Sequence, residues 1–174
     1  ADGSFTLGAA ITARLLKDGW DPVSATAAGA AGGALAGMAT GIIHTRFKVN
    51  ALLSGILVMT ALYSINLHVM GSSNLPITAR TIFTPFEAVA VSAIGKESTI
   101  LGRVVHGGDI GIFAGTTIIT VLIGVGLIIF LKTELGAAMR ATGDNARMLR
   151  ALGTSTDRMI VFGLALSNAL VALA

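Results

Sequence analysis

Three unbroken apolar segments, Pro22 to Ile43, Ala51 to Met70 and Gly111 to Leu131, fix the solvent in which this chain folds. Each reaches the roughly 20 residues that a helix needs to cross the hydrocarbon core of a bilayer. Backbone amides and carbonyls have no water to bond with there, so continuous apolar runs of this length become helices. A fourth run, Ile160 to Ala174, is still apolar where the sequence stops, and the first residue is an alanine in mid-pattern. Both features predict a piece of a longer protein. Leu7 to Leu16 is apolar too, but it is short and carries Arg14 near its end, so a half-helix or re-entrant element is expected over about residues 4–16. The expected fold is an all-α, polytopic transmembrane helix bundle. Residues 1–174 form part of one domain, with spans over about 22–43, 51–70, 111–131 and 160–174 and a loop over 132–159.

Composition agrees with a membrane solvent: 53% of residues are hydrophobic and 12% charged, where soluble domains carry about a quarter charged residues. The absence of cysteine excludes a disulfide framework and cysteine-ligated metal. A formal charge of +3 is no nucleic-acid footprint, because the basic residues alternate with acids between apolar spans. The partner surface is lipid.

The basic residues also orient the chain. His44 to Asn50 holds Arg46 and Lys48 in seven residues, and Lys132 to Met159 holds five basic residues in 28. The 41 residues from Gly71 to Gly111 hold only Arg80, Lys96 and Arg103. By the positive-inside rule the first two loops are cytoplasmic, and the long connection with Pro76 and Pro85 is external. Trp20 falls near the outer boundary, where an amphipathic ring is favoured.

Within the spans, Gly29, Gly33, Gly37 and Gly41 recur every four residues, so one ridge of that helix has almost no side chains. Such a ridge lets another helix approach to backbone contact, either in a neighbouring subunit or within one bundle. Thr60, Tyr63, Ser64 and Asn66 cluster in the outer half of the second span, the first three on one face and Asn66 at its edge. They read either as the lining of a solute path or as interhelical hydrogen bonds with an interfacial Tyr. The row Thr116, Thr117, Thr120 reads as packing and backbone bonding.

Lys132 to Met159 has the pattern of two short amphipathic helices. Thr133 is a candidate N-cap, Gly143 a candidate αL break, Asp144 the next N-cap and Gly153 the stop. Asn145, Met148, Leu149 and Leu152 share a face flanked by Arg147 and Arg150. The segment is either a docking element or a solvated basic loop.

Catalytic patterns are lacking. Ile94 to Thr99 is no phosphate loop, because position 90 is Ala and Glu97 follows the lysine. His44, His68 and His106 have no metal-ligand spacing. No enzyme activity, metal or bound cofactor is expected of this chain.

ELGAAMRATGDNARMLRALG, followed by TSTDRMIVFGLALSNALVALA, resembles the cytoplasmic loop and following helix of permease subunits of bacterial ABC importers. The likeness is closest to the branched-chain amino acid and ribose permease superfamily. DGSFTLGAAI, HTRFKVNALLSGILVMTALYSINL and ATGDN are similar to a branch associated with uptake of aromatic amino acids such as tryptophan, many of whose members are uncharacterised. The resemblance implies a bacterial inner-membrane transport subunit in a homodimer or pseudo-dimer. Its other partners would be an external solute-binding protein and cytoplasmic ATPase subunits that hold ATP and Mg. It also implies a coupling helix within Glu134 to Gly153. Leu135, Met139, Met148, Leu149 and Leu152 would be its apolar anchors. Arg140, Arg147 and Arg150 would orient the contact, and Gly136, Gly143 and Gly153 would set the turns. By the same likeness Asp2 to Gly8, with Ser4 and Thr6, would be a break before a half-helix that borders the solute path. A channel or secondary carrier with intrinsic coupling, and a noncatalytic membrane scaffold, are the alternatives.

Overall fold

A computed structural model describes residues 2–71, 80–95, 97–100 and 103–174. Pro76 and Lys96 lie outside the described residues. The chain divides into two compact units, residues 1–79 with 135–174 and residues 80–134.

The first unit is a bundle of α1 (Asp2–Lys17), α2 (Pro22–Arg46), α3 (Ala51–Met70), α6 from Leu135 onward and α7 (Thr156–Leu173). Local chemistry sets the ends. Gly19, at φ 84°, closes α1 with bonds from Gly19 N–H to Leu16 O and from Trp20 N–H to Leu15 O, which satisfy two carbonyls that the helix leaves open. Asp21 then caps α2 by accepting from the Val23 amide at 3.2 Å, with Pro22 in the first turn, where its missing N–H costs nothing. Asn50 caps α3 through the Leu52 amide at 2.9 Å, and Gly71, at φ 65°, ends it. Asp2 to Gly8 is helical. The expected break over those residues is replaced by the first two turns of α1, which share the bundle core with α2, α3 and α7.

The glycine ridge of α2 decides the packing. A β-carbon on Gly33 would collide with Ala172 and the Asn168 carbonyl, one on Gly37 with the Leu164 carbonyl, and one on Gly41 would lie 2.8 Å from Val161 Cα. Gly29 meets Thr12 and the Gly8 carbonyl of α1 in the same way. The ridge is therefore buried inside one chain, against α7 along most of its length and α1 near its start. The contact order, Gly33 beside Ala172 and Gly41 beside Val161, makes α2 and α7 antiparallel. On the remaining side Leu7, Ala36, Val58 and Leu62 form a small apolar core.

The second unit holds α4 (Thr84–Ile94), β1 (Glu97–Ile100), β2 (Arg103–His106) and α5 (Gly107–Lys132). The two strands pair antiparallel, Glu97 opposite His106, and add a small hairpin to an otherwise helical chain. Gly107, Gly111 and Gly115 make a second four-residue ridge, on which α4 rests with Phe86 against Gly111 and Gly115. Beyond it α5 exposes Ile118, Val121, Leu122, Val125, Ile128 and Ile129.

α2, α3, α5 and α7 are long and apolar enough to cross a membrane. α1, at about 24 Å, is short of the roughly 30 Å hydrocarbon core.

Candidate functional site

Two constellations stand out, a pair of polar contacts at the start of α1 and the amphipathic segment of α6. Ser4, 2% exposed, donates its hydroxyl to Asn168 Oδ1 at 2.8 Å, and Asn168 Nδ2 donates to its own Leu164 carbonyl at 2.8 Å. On the other side of α1, two residues on, Asn66 Nδ2 donates to Thr6 Oγ1 at 2.7 Å, while the Thr6 hydroxyl donates to the Gly3 carbonyl at 3.1 Å. Asn66 is buried, and its Oδ1 has no hydrogen-bond partner among the described residues. A buried acceptor without a donor is expensive in hydrocarbon, which singles this atom out among the polar groups of the bundle. At 1.5 Å per residue, Asn168 stands about 18 Å from the start of α7 and Asn66 about 22 Å from the start of α3. Both contacts thus lie past the middle of the bundle, away from its basic end.

The other polar residues of α3 are elsewhere. Thr60, Tyr63 and Ser64 are exposed on the outer face, whereas Asn66 points inward. The Thr60 hydroxyl is spent on the Ile56 carbonyl at 2.9 Å, as Thr116 and Thr117 spend theirs on Ile112 and Phe113. Asn66 therefore separates from its three sequence neighbours and joins Thr6. Asn168 was not singled out in the sequence; the signal was there as a lone amide in the apolar run VFGLALSNALVALA.

α6 (Glu134–Ala151) carries the basic segment. Its break lies at Asn145, whose φ of −151° and ψ of 83° leave the helical region. Gly143 is not the break, and Asp144 is not the cap. Gly143 stays helical, and Asn145 accepts from the Met148 amide at 3.0 Å through Oδ1, capping the turn that follows. The backbone leaves the helix at Asn145, so this carboxamide and not the neighbouring Asp144 carboxylate reaches the open amide. Thr133 donates its hydroxyl to the Phe130 carbonyl at 2.6 Å. Gly153, at φ 84°, ends the segment with bonds from Gly153 N–H to Arg150 O and from Thr154 N–H to Leu149 O, both 3.0 Å.

The faces of α6 are sorted. Gly136 and Thr142 are buried, Met139 and Leu149 half-buried, and the Met139 methyl reaches Gly163 of α7. Leu135, Met148 and Leu152 are exposed at 54%, 61% and 69%. Arg140, Asp144 and Arg147 are exposed beside them. Arg150 Nε donates to Thr156 Oγ1 at 2.7 Å and its guanidinium meets Asp157 at 3.4 Å, tying the end of the segment to the start of α7. The result is a basic helix, anchored on one side, that presents unburied apolar side chains on the other.

A family model for the permease component of branched-chain amino acid transport systems matches residues 1–174. The chain belongs to that family. It is 40% identical over 174 residues to the tyrosine transport system permease protein of Clostridioides difficile (strain R20291), a match covering 99% of this chain and 51% of that relative. It is also 27% identical over 172 residues to the uncharacterized protein RP368 of Rickettsia prowazekii (strain Madrid E), covering 99% of this chain and 54% of the relative. The chain thus spans about half the length of the curated relatives it matches. No solved structure matches. Membership in a permease family, together with four helices long and apolar enough to span, makes this a multi-pass membrane protein.

Proposed function

We propose that this chain is part of a translocating subunit in an ATP-driven importer, with an amino acid of the aromatic class as cargo. The observation that carries the reading is the match of the whole chain to the permease family, with 40% identity to a tyrosine transport system permease. The solute route runs past the polar pairs Ser4 with Asn168 and Thr6 with Asn66, where the Asn66 Oδ1 offers an acceptor to a solute ammonium group.

Power comes from elsewhere. ATP and Mg are held by a separate cytoplasmic ATPase, a solute-binding protein delivers cargo from outside, and a second permease subunit completes the pore. α6 is the coupling element. Leu135, Met148 and Leu152 fill an apolar groove on the ATPase, while Arg140 and Arg147 meet carboxylates at its rim. The tether from Arg150 to Thr156 and Asp157 passes a push on α6 directly into α7, whose far half carries Asn168.

Affinity purification of the full-length protein from its native membrane tests the reading. An ATPase subunit in stoichiometric amount is the expected result. Recovery of the intact permease without any ATPase, under conditions that preserve other membrane complexes, would count against an ATP-driven importer.

A further inference from the structure

Two cavities of the first unit adjoin where α2 ends and α7 begins. One is an apolar groove of about 620 Å³ along the seam of the two helices, walled by Met38, Ile42, Phe162, Ala165 and Leu166 and reaching Arg158 at its end. The other, of about 560 Å³, is polar and lined by His44, Thr45, Lys48, Arg150, Asp157 and Ile160. Thr45 and Asp157 line both, so the two adjoin as a trough with an apolar part and a basic part.

The charge of that basic part is unbalanced. Asp157 faces Arg150 at 3.4 Å, which commits its carboxylate. Lys48 and Arg158 have no ion-pair or hydrogen-bond partner among the described residues. His44 donates Nδ1–H to the Val49 carbonyl at 2.8 Å, which fixes the ring and leaves Nε2 without a partner among the described residues. A trough with an apolar floor and an unpaired cationic end, set between two spanning helices, matches the two halves of an anionic lipid.

We propose that the trough binds an anionic phospholipid. The headgroup phosphate sits near the shared Thr45 and Asp157, attracted by Lys48 of the polar cavity and Arg158 of the apolar groove, and an acyl chain lies along Met38, Ile42, Phe162 and Leu166. A helix from another protein would fill the apolar floor but would bring no anion to the two unpaired cations, so charge complementarity favours the lipid. The site rests on α2 and α7 crossing the membrane and is independent of the transport reading. It also gives the end of α7, to which α6 is tied, a direct contact with the membrane surface.

The test is native mass spectrometry of the full-length protein in detergent, titrated with phosphatidylglycerol or with phosphatidylcholine of the same acyl chains. Phosphatidylglycerol should be retained in preference. Lys48→Gln with Arg158→Gln, both exposed, should weaken its retention by about fivefold per cation removed and leave phosphatidylcholine unchanged. Ala165→Trp, which fills the groove but keeps every charge, should lower retention of both lipids; Met38→Trp on the exposed wall serves the same purpose if the first variant does not fold. Excess inorganic phosphate should not displace the lipid. Equal retention of the two lipids, indifference to either class of variant, or full displacement by phosphate would each overturn the proposal.

Discussion

Ser4 and Asn168 are 164 positions apart in sequence, yet the Ser4 hydroxyl donates to Asn168 Oδ1 at 2.8 Å and joins α1 to α7 inside the bundle. Ser4→Ala leaves that amide oxygen without its donor. A loss of about 0.6 kcal/mol, up to about 1.7, is expected from a single interhelical hydrogen bond in a membrane protein. The double variant with Asn168→Leu should cost less than the sum of the two single changes, because the second change removes the stranded acceptor. Thermal unfolding of the four proteins in one detergent checks this, and strictly additive losses would show that the bond contributes nothing.

The α2 ridge and the α6 glycine make opposite predictions for the same kind of change. Gly37→Leu drives a side chain into the Leu164 backbone, which cannot yield as a flexible side chain would, so a loss of at least about 1–3 kcal/mol is expected. Gly143 is helical and a β-carbon there meets nothing within 4 Å, so Gly143→Ala should stabilise by roughly 0.5–1 kcal/mol through helix propensity. Melting temperatures that move in opposite directions are the expected outcome. A destabilised Gly143→Ala protein would contradict the helical conformation assigned to that residue.

How far the sequence announces this fold depends on how local each signal is. Gly153 as a helix stop and the four-residue glycine spacing on α2 are written in adjacent residues, and the structure displays them in place. Spacing says that the ridge packs closely but not on what; the answer, α7, lies more than a hundred residues away. The break in α6 falls past Gly143, where the backbone leaves the helix at Asn145 and its carboxamide, not the Asp144 carboxylate, reaches the open amide. Asn66 escaped its grouping with Thr60, Tyr63 and Ser64 because helical position alone does not say which face meets Thr6. The hairpin of β1 and β2 left no strong pattern, its strands being only four residues each.

Membrane orientation is tested by placing single cysteines on exposed sites of these 174 residues, which have none of their own, in a background with any other cysteine replaced. Ser92→Cys on α4 should react with a membrane-impermeant maleimide on intact cells, and Asp144→Cys on α6 only after permeabilisation. The fold brings His44, Lys48 and Arg150 to one pocket, so the loops that carry them share one side of the membrane. Labelling of Asp144→Cys from outside would invert the whole topology.

The central claim, that α6 transmits ATPase motion without touching the solute, is tested most directly by solute-stimulated ATP hydrolysis of the reconstituted importer in proteoliposomes. Met148→Asp with Leu152→Asp places two charges on the exposed apolar face and spares the half-buried Leu149 that holds the segment together. Desolvating those charges in an apolar groove is costly, so assembly with the ATPase should weaken and stimulated hydrolysis and uptake should fall at least about tenfold. Folding of the permease and capture of solute by its external receptor should remain unchanged. Full stimulation and uptake by the double variant, with the ATPase still bound, would contradict the account.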